Sequence, residues 1–219
     1  MERINLVQNS TRLMPDVSVI LTVYNRANYL ERCLNSLLGQ SFKKWELVAI
    51  DDGSIDNSYK ILKRYELNYK NITVIRQENM KLPLSRNRGI NVSTGKYITF
   101  LDSDDEYESS HLKKRIDYMT DHPEIDLIHG GVDILGDKFV RDKNNPNKFI
   151  HLSECAIGAT FFGKRNVFLD LNGFKNLEYS EDSEFLERAE KLFNIAKVEF
   201  NTYKYHRESP DSITKSYVP

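Results

Sequence analysis

A chain of 219 residues is long enough for one substantial core, and a content of 40% hydrophobic and 29% charged residues is that of a soluble globular domain. Thirty-one Lys and Arg against thirty-two Asp and Glu leave a net charge of -1, so the overall balance calls for no nucleic-acid partner. Residues 1–14 lack the apolar segment of a signal peptide and no later run approaches the roughly 18 apolar residues of a membrane span, which predicts a chain neither secreted nor integral. Cys33 and Cys155 lie far apart, Cys33 on an apolar helical stripe, and both read as reduced core residues in a cytoplasmic setting.

Residues 1–14 read as a flexible leader ending at Pro15, with a single domain over 15–219. Val17 to Tyr24 (V-S-V-I-L-T-V-Y) is nearly continuous apolar sequence suited to a central strand. Asn28 with Glu31 resembles a capping box, and Leu30, Cys33, Leu34, Leu37 and Leu38 repeat at helical spacing until Gly39 supplies a stop. A strand over Glu46 to Asp51 is followed by a helix opening near Asp56, with Tyr59, Leu62 and Tyr65 or Glu66 in phase. Ile72 to Arg76 is the next strand, a loop runs through Pro83, a short helix covers Ser85 to Val92, and Lys96 to Leu101 is a fourth strand. This βαβαβαβ alternation predicts an α/β fold with an open, mostly parallel sheet covered by helices on both faces.

Ligands of such sheets sit beyond the carboxyl ends of the strands, where Asn25, Asp51 with Asp52, and Asp102 with Asp104 all fall. Three carboxylates within four residues at the end of a buried strand, F-L-D-S-D-D, cannot be explained by packing. Asp102, Ser103 and Asp104 make an Asp-x-Asp spacing able to hold a hard divalent cation, although Asp-Ser-Asp is also an ordinary turn or capping sequence. Past this point the pattern changes. Ser109 to Asp121 is a helix with Leu112, Ile116 and Met119 on one face, and Ile125 to His129 and Val132 to Leu135 are short strands. A polar loop spans Asp137 to Lys148, Ser180 to Phe193 is a helix with Phe185, Leu186, Ala189 and Phe193 inward, and Ile195 to Phe200 is a last strand.

Taken together, V-S-V-I-L-T-V-Y-N-R at 17–26, D-D-G-S at 51–54, S-R-N-R-G at 85–89, F-L-D-S-D-D at 100–105 and S-E-D-S-E-F at 180–185 closely resemble the family 2 glycosyltransferases, in order and in spacing. The resemblance covers roughly residues 15–215 and implies a fold of the GT-A type, with a nucleotide-sugar-binding half (15–105) joined to an acceptor-binding half (106–219). It implies that Thr22, Tyr24 and Asn25 help form the nucleobase pocket, with Tyr24 stacking on the base. Asp52 would accept the imide N–H of a uracil, against the alternative of a plain turn, and Arg86 would approach the nucleotide, against that of a surface charge. Asp102 would accept a ribose hydroxyl beside Ser103, and Asp104 would ligate Mn²⁺ or Mg²⁺ together with the diphosphate of the donor. Asp105 reads as a helix cap. Asp182 matches the family's catalytic base, although Ser180, Glu181 and Asp182 at a helix start are also what capping favours.

The match departs from the family at its end. Where many members carry an imidazole near the metal, aligning P-D-S-I-T places Ser209 at that position, and His206 lies three residues earlier. Gly158 to Lys164, with Gly173 and Phe174, resembles the acceptor-side core, where small residues permit close approach to a sugar. The implied activity is inverting, metal-dependent transfer from a nucleoside-diphosphate sugar, with uridine as the expected base, to a saccharide or lipid-linked saccharide, in polysaccharide or glycoconjugate synthesis. The setting is cytoplasmic, with peripheral contact at the inner face of a membrane. Two alternatives stay open: a non-catalytic nucleotide-binding subunit of the same fold, and a sugar nucleotidyltransferase, which needs a Gly-rich loop where V-Y-N-R-A-N-Y-L has no glycine. A Rossmann oxidoreductase lacks its G-x-G-x-x-G here as well.

Overall fold

Side chains alternate along an extended backbone, so Val17, Val19, Leu21 and Val23 of the first strand face one way and Ser18, Ile20 and Thr22 the other. The computed structural model, which describes residues 14–142, 145 and 147–208, builds two cores on that alternation. The strands β1 (Val17–Val23), β2 (Trp45–Asp51), β3 (Ile72–Arg76) and β4 (Tyr97–Asp102) lie parallel in the order β4-β1-β2-β3. On one face the odd-numbered valines and Leu21 pack against Leu30, Cys33, Leu34 and Leu37 of α1 (Ala27–Leu38) and Leu62 and Tyr65 of α2 (Ser58–Asn68). On the other, Ile20, Ile98 and Phe100 meet Ile90 of α3 (Leu82–Val92) and a set of phenylalanines from the second half of the chain.

Beyond residue 102 the elements shorten. They are β5 (Glu106–Tyr107), α4 (His111–Asp121), β6 (Leu127–His129), β7 (Val132–Leu135), β8 (Phe139–Arg141) and β9 (Phe149–His151). Then come 3₁₀ turns at Leu152–Glu154 and Gly158–Thr160, β10 (Phe162–Lys164), α5 (Arg165–Asp170), α6 (Glu181–Ala189), β11 (Ile195–Lys197) and β12 (Tyr203–His206). Among the described residues the main sheet has seven strands, ordered β11-β6-β10-β4-β1-β2-β3, with β10 antiparallel to both β4 and β6. A smaller sheet, β5-β12-β7, stands beside it. No helix among the described residues is long and apolar enough to cross a membrane.

Several expectations are corrected. The α1 start has no capping box: its N-cap is Arg26, and the Arg26 and Ala27 N–H groups are taken by Ser58 Oγ at 2.8 Å and Asp56 Oδ2 at 3.0 Å, so acceptors from the next loop replace Asn28. Glu31 instead accepts the Tyr65 hydroxyl at 2.7 Å. Helix α3 begins at Leu82 and takes in Pro83, whose missing N–H costs nothing in a first turn. The polar stretch expected as a loop over Asp137 to Lys148 contains β8, which pairs with β9 as a hairpin. Val140 and Ile150 of that hairpin pack with Ile134 and Leu152, and three-residue strands leave too little alternation for a pattern to register. Of the expected leader (1–14), residues 1–13 lie outside the described residues, as does Ser209.

Candidate active site

The parallel strands end at one rim, and the residues just past them line a cavity of about 1160 Å³. Of the residues singled out in the sequence, Thr22, Tyr24, Asp52, Arg86, Asp102, Ser103, Asp104 and Asp182 all line it. Tyr24 is 47% exposed there, free to meet a flat ring. Two expected members are not in the wall. Asn25, at a φ of 54°, is spent on its own turn: its N–H donates to Ser54 Oγ at 3.0 Å and its Oδ1 accepts from Ile55 N at 2.9 Å. Asp51 is buried and faces Arg76 Nε at 3.2 Å, because the strand's alternation sends it away from its neighbour Asp52. Burial raises its carboxyl above the ordinary value.

Asp52 is only 4% exposed and accepts three hydrogen bonds, from Gln77 Nε2 (2.7 Å) and Met80 N (2.8 Å) to Oδ1 and from Lys81 N (3.0 Å) to Oδ2. It therefore fixes the loop before α3 as well as facing the cavity. The S-R-N-R-G segment resolves residue by residue. Ser85 accepts from Gln77 Nε2 at 2.9 Å, and Asn87 holds both the N–H and the C=O of Phe174 at 2.7 Å. Gly89 lets α3 press onto β1, since a Cβ there would lie 2.5 Å from Ile20 Cγ2.

Arg86 is no surface charge. It is 3% exposed, its Nη2 donates to Asp102 Oδ1 at 2.9 Å and its Nη1 to Glu181 Oε1 at 3.2 Å, and its guanidinium lies 5.6 Å and 5.4 Å from the ring centres of Phe100 and Phe174. Burial works against its charge, but Asp102 and Glu181 hold its pKa above the ordinary value. One guanidinium thus joins the end of β4 to the start of α6. Glu181 was not singled out in the sequence, because an acidic residue in a first helical turn is ordinary there.

The three carboxylates at the end of β4 and just past it have separate surroundings. Asp102 faces Arg86, and Asp104 lines the cavity while its backbone carbonyl accepts from Arg32. Asp105, expected as a helix cap, is instead fully buried: Oδ2 accepts the Tyr203 hydroxyl and Oδ1 the His206 N–H, each at 2.7 Å. Burial first, then Asp102 and Asp104, hold its carboxyl well above the ordinary range. The Tyr203 oxygen also accepts from Asp102 N at 3.2 Å, so β12 braces the loop. His206 turns its ring Nε2 to Glu106 Oε1 at 2.8 Å. Among the described residues no three His, Cys, Asp or Glu side chains gather as a metal cage. The donor set fits a hard cation held in part by substrate, for which one or two carboxylates suffice beside phosphate oxygens and water.

Asp182 sits in the first turn of α6. Ser180, the N-cap, is left-handed at a φ of 61° and makes no side-chain cap, so the capping reading of this segment is not realised by Ser180. Asp182 accepts from Ser183 N at 2.7 Å on Oδ1 and from Gly158 N at 3.2 Å on Oδ2. Burial and the neighbouring Glu181 raise its pKa from 3.8 to about 6, against the pull of Arg86 and the two N–H donors. Further lining comes from Val140, Arg141, Lys148 and Ile150 of the hairpin, from Cys155, and from residues 176–180, none of which carries a portable signal in the sequence. Cys33 and Cys155 are both free, the first in the core and the second half-buried in this lining.

The family model described as glycosyl transferase family 2 matches residues 18–174. The putative teichuronic acid biosynthesis glycosyltransferase TuaG of Bacillus subtilis is 32% identical over 166 residues, which is 73% of this chain and 64% of that protein. Among solved structures, S. aureus TarS 1–349 in complex with UDP-GlcNAc superposes with a TM-score of 0.75 at 21% identity, covering 93% of this chain and 62% of the other. The mannosyltransferase PcManGT from Pyrobaculum calidifontis, in complex with GDP-Man and Mn²⁺, gives 0.70 at 18% identity, covering 88% and 57%. The chain spans less than two thirds of the length of the curated relatives it matches. At 21% and 18% identity the two structural likenesses speak for the fold.

Proposed function

Since this chain belongs to glycosyl transferase family 2, with a fold of the GT-A type, we propose that its cavity transfers a sugar from a nucleoside-diphosphate sugar to an acceptor hydroxyl with inversion at the anomeric carbon. The observation that carries the proposal is the single guanidinium of Arg86, which joins Asp102 at the end of β4 to Glu181 beside Asp182, so that the two carboxylate groups flank one cavity. Residues 15–105 form the donor half. Tyr24 stacks on the base and Thr22 lines the pocket floor, Asp52 reads the imide edge of uracil, and Asp102 with Ser103 meets the ribose. Asn25 supports Tyr24 through its turn, and Arg86 acts through Asp102.

Asp104 would hold Mn²⁺ or Mg²⁺ beside the donor diphosphate, and such a cation would supply charge stabilisation for a departing nucleoside diphosphate. Residues 106–219 form the acceptor half. There Asp182 takes the proton of the attacking hydroxyl from the face opposite the leaving group, which is why a single displacement inverts the carbon. A pKa near 6 suits a group that must be ionised before attack and protonated after it. The acceptor is a saccharide or lipid-linked saccharide of a surface polysaccharide or glycoconjugate, a reading supported by the name of the teichuronic acid relative. The setting is the cytoplasmic face of a membrane, contacted peripherally.

The test is nucleoside-diphosphate release from a panel of nucleotide sugars by the purified full chain, with and without Mn²⁺. Uridine donors should be consumed only with the metal, and Asp104→Ala should abolish both that dependence and metal-assisted UDP binding in calorimetry. Unchanged metal dependence in Asp104→Ala would overturn the metal assignment, and no donor consumption across the panel would overturn the enzyme reading.

A further inference from the structure

We propose that Gly158 is a positioning residue for Asp182, kept without a side chain so that the proposed base can accept its N–H while the Arg86 guanidinium packs over the same spot. This rests on the reading of Asp182 given above. Small residues in this segment resemble a surface cut back to admit a sugar, but the geometry assigns the space at Gly158 differently. A Cβ built there would lie 3.0 Å from Arg86 Nη1 and 3.1 Å from Asp182 Cβ, so the room belongs to two protein side chains. The Gly158 N–H also donates to Asp182 Oδ2 at 3.2 Å. Its backbone is not left-handed, so glycine is not required there by conformation.

The position is fixed from both sides. The turn carrying Gly158 is pinned by Thr160 N to Ile157 O (2.8 Å) and Phe161 N to Gly158 O (3.1 Å). It is anchored to the sheet by Thr99 Oγ1 to Phe161 O (2.8 Å) and Gly130 N to Thr160 Oγ1 (2.9 Å). Arg86 cannot swing aside without losing Asp102 or Glu181, and Asp182 is carried on a helix whose Phe185 is fully buried. A methyl group at 158 is therefore accommodated by tenths of an ångström of movement in the carboxylate that receives the proton. Small displacements of a reacting group are expensive: a misplacement of about 1 Å costs on the order of 10²-fold in rate.

The experiment is a double-mutant cycle on the full chain with a competent donor and acceptor pair, using Gly158→Ala, Asp182→Asn and both together. Gly158→Ala should lower kcat by roughly tenfold, a fraction of the loss set by a full ångström, while donor KM, acceptor KM and UDP affinity stay within about threefold and the melting temperature within a few degrees. In the Asp182→Asn background the same methyl group should cost nothing further, because the group it displaces no longer works as a base. Wild-type kcat in folded Gly158→Ala, a rise in acceptor KM at constant kcat, or multiplied losses in the double variant would each overturn the positioning role while leaving Asp182 as the base. Full turnover by Asp182→Asn would instead overturn the base reading, and this inference with it.

Discussion

Asp52 in the first half of the chain and Asp182 in the second are carboxylates on the wall of one cavity, yet the chain surrounds them differently. Asp52 accepts three hydrogen bonds from Gln77, Met80 and Lys81, all within the loop that leads into α3. Asp182 accepts two, one from its chain neighbour and one from Gly158, and stands beside the anionic Glu181. The first arrangement makes a fixed acceptor, suited to reading a base edge. The second raises the carboxyl's pKa to about 6, through burial and Glu181, as the proposed base requires. The difference follows from the architecture: residues 17–102 form regular parallel βα units with short returns, whereas residues 106–207 place α6 against a 3₁₀ turn and a buried arginine from distant parts of the chain.

The comparison is broken most forcefully at Asp182. Asp182→Asn keeps the size of the side chain and removes its basicity, so turnover should fall by roughly 10² to 10⁴ with UDP affinity unchanged, as steady-state kinetics and calorimetry would read. Equal loss of UDP affinity would move Asp182 to the donor side. Asp52→Ala should do the reverse: it weakens uridine nucleotides about tenfold or more and, by removing the acceptor of the Met80 and Lys81 N–H groups, costs roughly 0.5–1.5 kcal/mol of stability in denaturant titration. A variant as stable as wild type with unchanged UDP affinity would deny Asp52 both roles.

The pH dependence sharpens the same contrast. With Asp182 raised to about 6, kcat/KM should decline below that pH, and Glu181→Gln should carry the acid limb to lower pH by removing the anion that helps raise it. An acid limb that ignores Glu181→Gln would sink the electrostatic account. The smallest effect is on stability. Between 3.8 and about 6 the Asp182 carboxyl is protonated only in the folded chain, so stability falls as pH rises through that window and the penalty is complete above it. Asp182→Asn should therefore melt a few degrees higher than wild type at pH 8 and show little gain at pH 3.5. A lower melting temperature at pH 8 would favour a structural role for the carboxylate.

Periodicity was enough where packing is local. The nearly continuous apolar runs of Val17–Val23 and Tyr97–Leu101 follow from burying both faces of a central strand, and the 3.6-residue stripe of Leu30, Leu34 and Leu37 from burying one face of a helix, so both appear in the order of residues. They also carried Asp52, Asp102 and Asp104 to strand ends at the cavity rim. The second half was less readable because its strands of three or four residues hold barely one alternation, and the β8–β9 hairpin therefore looked like a polar loop.

The sequence by itself determined the alternation of strands and helices, the rim on which the polar groups fall, and the family resemblance that its five motifs carry. Only the tertiary structure decided which carboxylate faces what. Asp51 turned to Arg76, Asp105 was buried under a tyrosine 98 residues away, and Arg86, on the cavity wall, was paired with Glu181, 95 residues on. Such partners are chosen by where the sheet folds back on itself, and a hydrogen bond across that distance leaves no periodic trace in the chain that makes it.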